Sequence, residues 1–483
     1  MTDITIVWLR QDLRLTDNPA LHAAMQRGIV VPVFIWAPDE EGSWGSGAAS
    51  NWWLHQSLAS LDRALREAGS RLVIRRGPTL EALRTLAREA GATAVMWNRR
   101  YEPAIVQRDA AIKEALHGDG LDAESFNAAL LREPWTVRNQ AGRPFQVFTP
   151  FWKHLLRDLQ PLPPIPGPAR IEGPSCELAS LDLAKLALEP RIDWASGMRM
   201  AWTPGEAGAA ANLARFLDDA FDEYPRRRDL PAEAGTSRLS PHLHFGEIGP
   251  RQVWDAVMGM AAARGWDAET WRSSRFLTEL GWREFSHHLL YHFPRTPDEP
   301  LRPEFARFPW QPDAAKLAAW RAGRTGFPIV DAGMRELWAT GWMHNRVRMI
   351  VASFLVKDLL IPWQEGARWF WDTLVDADLA QNTLGWQWSA GCGADAAPFF
   401  RIFNPASQGR KFDPEGTYVR RWCPELARLP AKWIHEPHAA PSAVQLEAGI
   451  APGSSWASPV VSHAVARDRA LAAFARIRGS PDG

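Results

Sequence analysis

The chain has 483 residues, 46% of them hydrophobic and 23% charged, which fits a soluble globular protein of two or three domains. Its formal net charge is zero, so no global field announces a polyanionic partner, although a local basic groove is compatible with it. No run of about 18 uncharged apolar residues exists, so no membrane span is expected. The opening MTDITIVWLRQDLRL carries acidic and basic residues early and does not read as a signal peptide. Cys176, Cys392 and Cys423 lack CxxC spacing and read as reduced thiols of a cytoplasmic protein. No HExxH or similar spacing points to a metal. The aromatic usage is unusual, with 26 Trp beside 4 Tyr.

In chain order, apolar β-branched runs occur at 4–9, 29–36, 71–75 and 93–98, with a weaker one at 121–127. Helical patterns separate them at 18–28, 52–69, 78–91 and 106–118, most closed by Gly. This alternation predicts a doubly wound, parallel, five-stranded sheet. Ligands bind such sheets at the strand carboxyl ends, here Arg10, Gln11, Asp12, Trp36 and Asn98. No GxGxxG and no P-loop is present, so a scaffold domain is an equal reading. Proline crowds 159–175, and the boundary is expected in the irregular stretch up to about Trp202. Beyond it helical periodicity dominates, at 208–224, 250–265, 270–293, 313–323, 331–341, 345–360 and 363–374. The expected division is an α/β domain over 1–130, a connector over 131–201 and an all-helical domain over 202–483.

Four constellations carry chemistry. GTSRLSPHLHFGEIGP (235–250) sets the hydroxyls of Thr236, Ser237 and Ser240 around Arg238 in a turn before a helix. That suits a pyrophosphate, or is an ordinary capped turn. In FLTELGWREFSHHLL (276–290), Glu279, Trp282, Arg283 and Ser286 share one helical face. The Glu–Arg pair reads as a solvated ion pair or as a carboxyl set among large apolar groups for chemistry. GWMHNRVRM (341–349) brings Trp342, His344, Asn345, Arg346 and Arg348, with Arg348 able to pair with Asp376 as a buried salt bridge. The fourth is tryptophan itself: Trp310, Trp363 and the pair Trp386 and Trp388 come from different segments, and each alone is more simply core.

Taken together, these stretches closely resemble the photolyase/cryptochrome family. The match is carried by WLRQDLRLTDNPAL, GTSRLSPHLHFGEI, ELGWREF, the run TGFPIVDAG to LVKDLL, and GWQWSAGCGADAAPFFRIFNPASQGRKFD. It spans nearly the whole chain in order. The resemblance implies an α/β antenna domain, a connector and a helical domain holding U-shaped FAD. It implies that Tyr224 and Thr236, Ser237, Arg238, Leu239 and Ser240 hold the phosphates. Arg283, Trp342, Asn345, Arg348, Asp376, Asp378, Leu379, Asn382 and Gly385 would line the flavin, with Asp376 facing Arg348 and Asn382 near the reactive flavin nitrogen. Trp386, Trp363 and Trp310 match the electron-transfer triad. Glu279, Trp282, Asn345, Met349 and Trp388 match the lesion pocket, and Arg346, Arg401 and Trp422 match DNA contacts. Further basic candidates are Arg226, Arg227, Arg228, Lys411, Arg420 and Arg421.

Subtype turns on few residues. Glu279 matches the acid that meets the carbonyls of a cyclobutane pyrimidine dimer. Asn345 and Met349 stand where (6-4) photolyases carry histidines. The chain ends in a photolyase-like helix (460–477) with no long signalling tail. Expected is light-driven repair of cyclobutane dimers in damaged DNA by a monomer. The rivals are a cryptochrome-like blue-light receptor and a generic flavin oxidoreductase, for which no nicotinamide fingerprint is found. Residues 34–65 look like plant cryptochromes and class III photolyases. Ala104 and Ile105 replace the Asn–Glu pair of the class I folate site. Methenyltetrahydrofolate is the favoured antenna, with 8-hydroxy-5-deazaflavin, or none bound, as alternatives.

Overall fold

A computed structural model describes residues 3–396, 400–451 and 456–478. The short stretch 397–399, inside the last of the matching motifs, lies outside the described residues. The five apolar runs become strands β1 (Asp3–Leu9), β2 (Gly28–Trp36), β3 (Val73–Arg76), β4 (Ala94–Asn98) and β5 (Asp122–Phe126). All pair in parallel, in the order β3-β2-β1-β4-β5. The helices between them are α1 (Pro19–Arg27), α2 (Ala48–Glu67), α3 (Thr79–Ala90) and α4 (Pro103–Gly118). The start of α1 is local chemistry: Asn18 Oδ1 accepts from Leu21 N at 3.1 Å and Pro19 fills the first turn. Ile6, Trp8, Val31, Val33, Leu83, Leu86, Val95, Trp97 and Leu116 form one core cluster of the sheet and its helices. The strands are apolar on both faces because helices cover both.

The carboxyl strand ends are held by one another. Asn98 Nδ2 donates to Asp12 at 2.6 Å, Arg10 N to Asp12 at 2.6 Å and Arg10 pairs with Asp109 of α4 at 2.5 Å. The Arg10 guanidinium also lies 4.2 Å from the Trp8 ring.

By compactness the chain falls into two units. One is Met1–Asp219, Ser237–Pro294 and Val375–Leu379; the other is Ala220–Thr236, Arg295–Leu374 and Ala380–Gly483. This division differs from the one composition suggests, because the helices Glu206–Asp219, Pro250–Ala263 and Arg275–His292 belong to the sheet-bearing unit. The second unit is helical. Two expected helices are interrupted. The run 270–293 breaks at Ser274, whose hydroxyl caps Leu277 N at 3.4 Å. The run 345–360 is an α-helix over Asn345–Ser353 and then a π turn over Phe354–Asp358. No helix among the described residues is long and apolar enough to cross a membrane.

Candidate functional site

In the first unit, the segment opening at Ser237 is bent by Arg238, which sits at φ 54°, a left-handed conformation that turns successive backbone amides to one side. The Arg238 guanidinium lies 4.0 Å over the Trp202 ring, Ser237 Oγ accepts from Leu239 N at 3.4 Å, and Ser240 opens the turn Ser240–His244. A buried polar network lies behind it. Trp53 Nε1 donates to Glu247 at 2.9 Å, Glu247 is bonded to His242 Nδ1, and His242 Nε2 meets the Asn212 amide at 3.1 Å. His242 and Glu247 are fully buried, so the turn is held by groups that have no other partners to choose. The hydroxyls are legible in the sequence but this support is not; its signal is His242 and Glu247, five apart in the stretch HLHFGE.

Asp378 lies in the same unit. Its Oδ2 is 3.4 Å from His287 Nε2 and 3.9 Å from His244 Nδ1. Burial alone would raise its pKa, but His287 and then His244 hold it well below the usual carboxylate range. It is therefore a fixed anion, suited to accept from an N–H of a ligand ring. Neither histidine was anticipated. Asp376 and Leu379 are buried beside it in sequence. Arg283 is buried and donates to Ala129 O at 2.6 Å. Trp282 stacks on Phe148 with ring centres 3.8 Å apart, and Glu279 is half-buried, 3.6 Å from Arg275. Of the four residues expected on one helical face, Glu279 and Trp282 remain partly open while Arg283 and Ser286 turn inward; Ser286 donates to Arg283 O at 2.7 Å.

The neighbouring Glu284 supports this helix. It accepts from Leu131 N at 2.9 Å and Arg132 N at 3.3 Å, and burial pushes its pKa up to about 7. The folded chain thus binds a proton that the unfolded chain, titrating near 4.5, releases. This stabilisation is complete below pH 4.5 and is lost as pH rises to about 7, a change of roughly 3 kcal/mol. A Glu284→Gln variant is expected to lose that slope. Melting curves from pH 4.5 to 7.5 should show the parent falling relative to the variant; parallel curves would exclude a titrating Glu284.

In the second unit, His344 caps the helix Asn345–Ser353, its Nδ1 accepting from Arg346 N at 3.2 Å. Burial lowers its pKa to about 4, so it is neutral at pH 7. Arg348 donates from Nε to Met343 O at 2.7 Å and lies 5.9 Å over Trp342. Arg346 is held by Asp229 at 2.8 Å and lies 4.4 Å over Phe412. Asn382 Nδ2 donates to Ala367 O at 3.0 Å, fixing the amide and turning its oxygen the other way. Gly385, one turn on, has open space where a Cβ would stand. Trp386 is buried, 5.0 Å from Phe370 and 6.2 Å from Trp320, both edge-on, and packs so closely on Gly366 that a Cβ there would sit 2.0 Å from its ring. Trp363 is buried, and Trp310 is half-buried against Phe308 at 4.4 Å. Trp388 is half-buried with Arg401 at 5.8 Å from its ring; Met349, Trp388 and Arg401 line one pocket. Tyr224 is buried with Arg228 at 5.4 Å, and Trp422 is half-buried. Among the other basic candidates, Arg226 pairs with Glu223 and Arg227 with Glu233, while Arg420 donates to Ala427 O and Leu429 O.

Within the first unit, the hydroxyls, turned amides and fixed anion are groups that suit a ligand with phosphates and a ring N–H. Residues 276–476 match the model of the FAD binding domain of DNA photolyase, and residues 5–169 match the DNA photolyase model. Fold and residues together define an FAD-binding protein, and the chain belongs to the photolyase/cryptochrome family. It is 48% identical to a deoxyribodipyrimidine photo-lyase of Agrobacterium fabrum over 98% of both chains. It is 43% identical to cryptochrome-2 of Arabidopsis thaliana over 98% of this chain and 79% of that one. A crystal structure of a bacterial class III photolyase from Agrobacterium tumefaciens matches with a TM-score of 0.95 and 48% identity, covering 99% of this chain and 98% of that one.

Proposed function

We propose that the protein is a light-driven DNA photolyase of the class III type, acting on cyclobutane pyrimidine dimers. Reduced FAD, held by the residues below, would supply light-driven one-electron chemistry to the dimer. In the dimer two ring carbon–carbon bonds break and two carbon–carbon double bonds re-form, with no net redox change and no net proton transfer. Around that step the chain's residues have distinct work. Thr236 to Ser240 and Tyr224 hold the phosphates; Asp378 and Asn382 orient the flavin ring; Asp376 and Arg348 complete its lining. Trp386, Trp363 and Trp310 would return electrons to oxidised flavin. Trp282, Met349 and Trp388 receive the flipped dimer, which leaves the duplex at low cost because a damaged step pairs poorly. Arg346, Arg401 and Trp422 hold the strand, so binding weakens with salt. The domains are read as antenna (1–130), connector (131–201) and catalytic (202–483). A monomer in the cytoplasm, with methenyltetrahydrofolate as antenna, completes this reading.

The observation that carries the subtype is the start of the helix Asn345–Ser353. A (6-4) lesion needs a titratable group near pH 7 to move a proton. Asn345 and Met349 offer none. His344, the residue next to Asn345, is buried, held below its usual pKa by that burial and engaged as a helix cap. Two defined oligonucleotides test this, each with one lesion, under blue light with chemically reduced flavin. The cyclobutane oligonucleotide should be restored and the (6-4) one left unchanged. Restoration of the (6-4) oligonucleotide, or none of the cyclobutane one, overturns the reading. Unchanged lesions with a light-dependent change in partner binding would favour the receptor reading.

A further inference from the structure

The second unit buries a lysine without a carboxylate partner among the described residues. Lys357 stands in the π turn Phe354–Asp358 and is 1% exposed. Its Nζ donates to Ala390 O at 2.6 Å and lies 3.1 Å from the centre of the Phe400 ring. Among the described residues no carboxylate pairs with it: the adjoining Asp358 is taken by His463 at 2.5 Å. Burial holds its pKa well below the usual lysine range. A buried amine with no counter-ion destabilises a fold, and apolar replacements at such positions commonly stabilise. The π turn that ends this helical run is a rare form, frequent at functional sites.

What the amine touches explains its presence. Ala390 ends the helix Leu379–Ala390, which carries Trp388 two residues earlier. Phe400 precedes Arg401. The pocket bounded by Met349, Trp388, Gly391 and Arg401 has Lys357 in its wall. Gly391 leaves the room: a Cβ there would stand 3.5 Å from Lys357 Nζ and 3.2 Å from the Phe400 ring, at a φ of 92°.

We propose that Lys357 is a positioning residue of the lesion pocket: it ties the helix end bearing Trp388 to the segment bearing Arg401 and so sets the indole–guanidinium contact that grips the dimer. The idea rests on the pocket's assignment to the dimer. The test is Lys357→Met in the FAD-loaded protein, with Lys357→Arg beside it. Three quantities are measured: melting temperature, flavin content, and affinity for dimer-containing against undamaged DNA of the same sequence. Expected for Lys357→Met is an equal or higher melting temperature, unchanged flavin content and a preference for the dimer reduced about tenfold. Lys357→Arg should recover part of that preference. A merely structural lysine gives the opposite pattern. A lower melting temperature, or failure to obtain folded protein, overturns the inference, and so does an unchanged preference. A parent with no preference for the dimer overturns the proposed function itself.

Discussion

Replacing Trp386 by Phe is expected to slow photoreduction of the oxidised flavin by about two orders of magnitude, roughly 2.7 kcal/mol of barrier. Repair should persist once the flavin is reduced chemically. The packing supports a clean substitution. Trp386 is buried edge-on to Phe370 and Trp320 and rests on Gly366, so a smaller ring keeps the same neighbours and leaves a small cavity. What is lost is an easily oxidised indole at the start of the proposed path. Bleaching of oxidised flavin under steady blue light with an external reductant measures it. Photoreduction at the parent rate would remove Trp386 from the path, and its contact with Trp320 shows where another donor could enter.

The second large effect is expected at Glu279. Glu279→Ala should lower repair per absorbed photon roughly tenfold, less than the roughly hundredfold or more that a fully preorganised donor contributes, because Glu279 is only half-buried. Flavin content and DNA binding should be close to the parent's. Glu279 is half-buried and near Arg275, which is itself exposed, so the loss of that helical pair costs little, about 0.5 kcal/mol. The expected loss therefore falls on repair, where the role proposed for the carboxyl is a hydrogen bond to the dimer carbonyls as they gain charge. Quantum yield at saturating substrate and equal reduced flavin is the measurement. An equal yield would leave Glu279 without a part in the mechanism.

Much of this protein is legible in its chain. The strands lie within two residues of the apolar runs, because period and β-branching act over neighbours. The helical dominance of the later chain follows from the same local signals. The family motifs name the residues proposed for the chemistry, since a hydroxyl, a carboxylate or an indole cannot be replaced without changing what the chain can do there. Some features are not local and were decided only in the fold. Asp378 is made a permanent anion by His287 and His244, 91 and 134 residues away. Glu284 keeps its proton because burial excludes water from it, and this outweighs the amides of Leu131 and Arg132, which come from a distant connector and favour the ionised form. The break into a π turn at Phe354 could not be read from a run that is helical at every position, yet it accompanies the burial of Lys357. A sequence names the groups present; their charge and partners depend on which distant surface excludes water from them, and that is a property of packing alone.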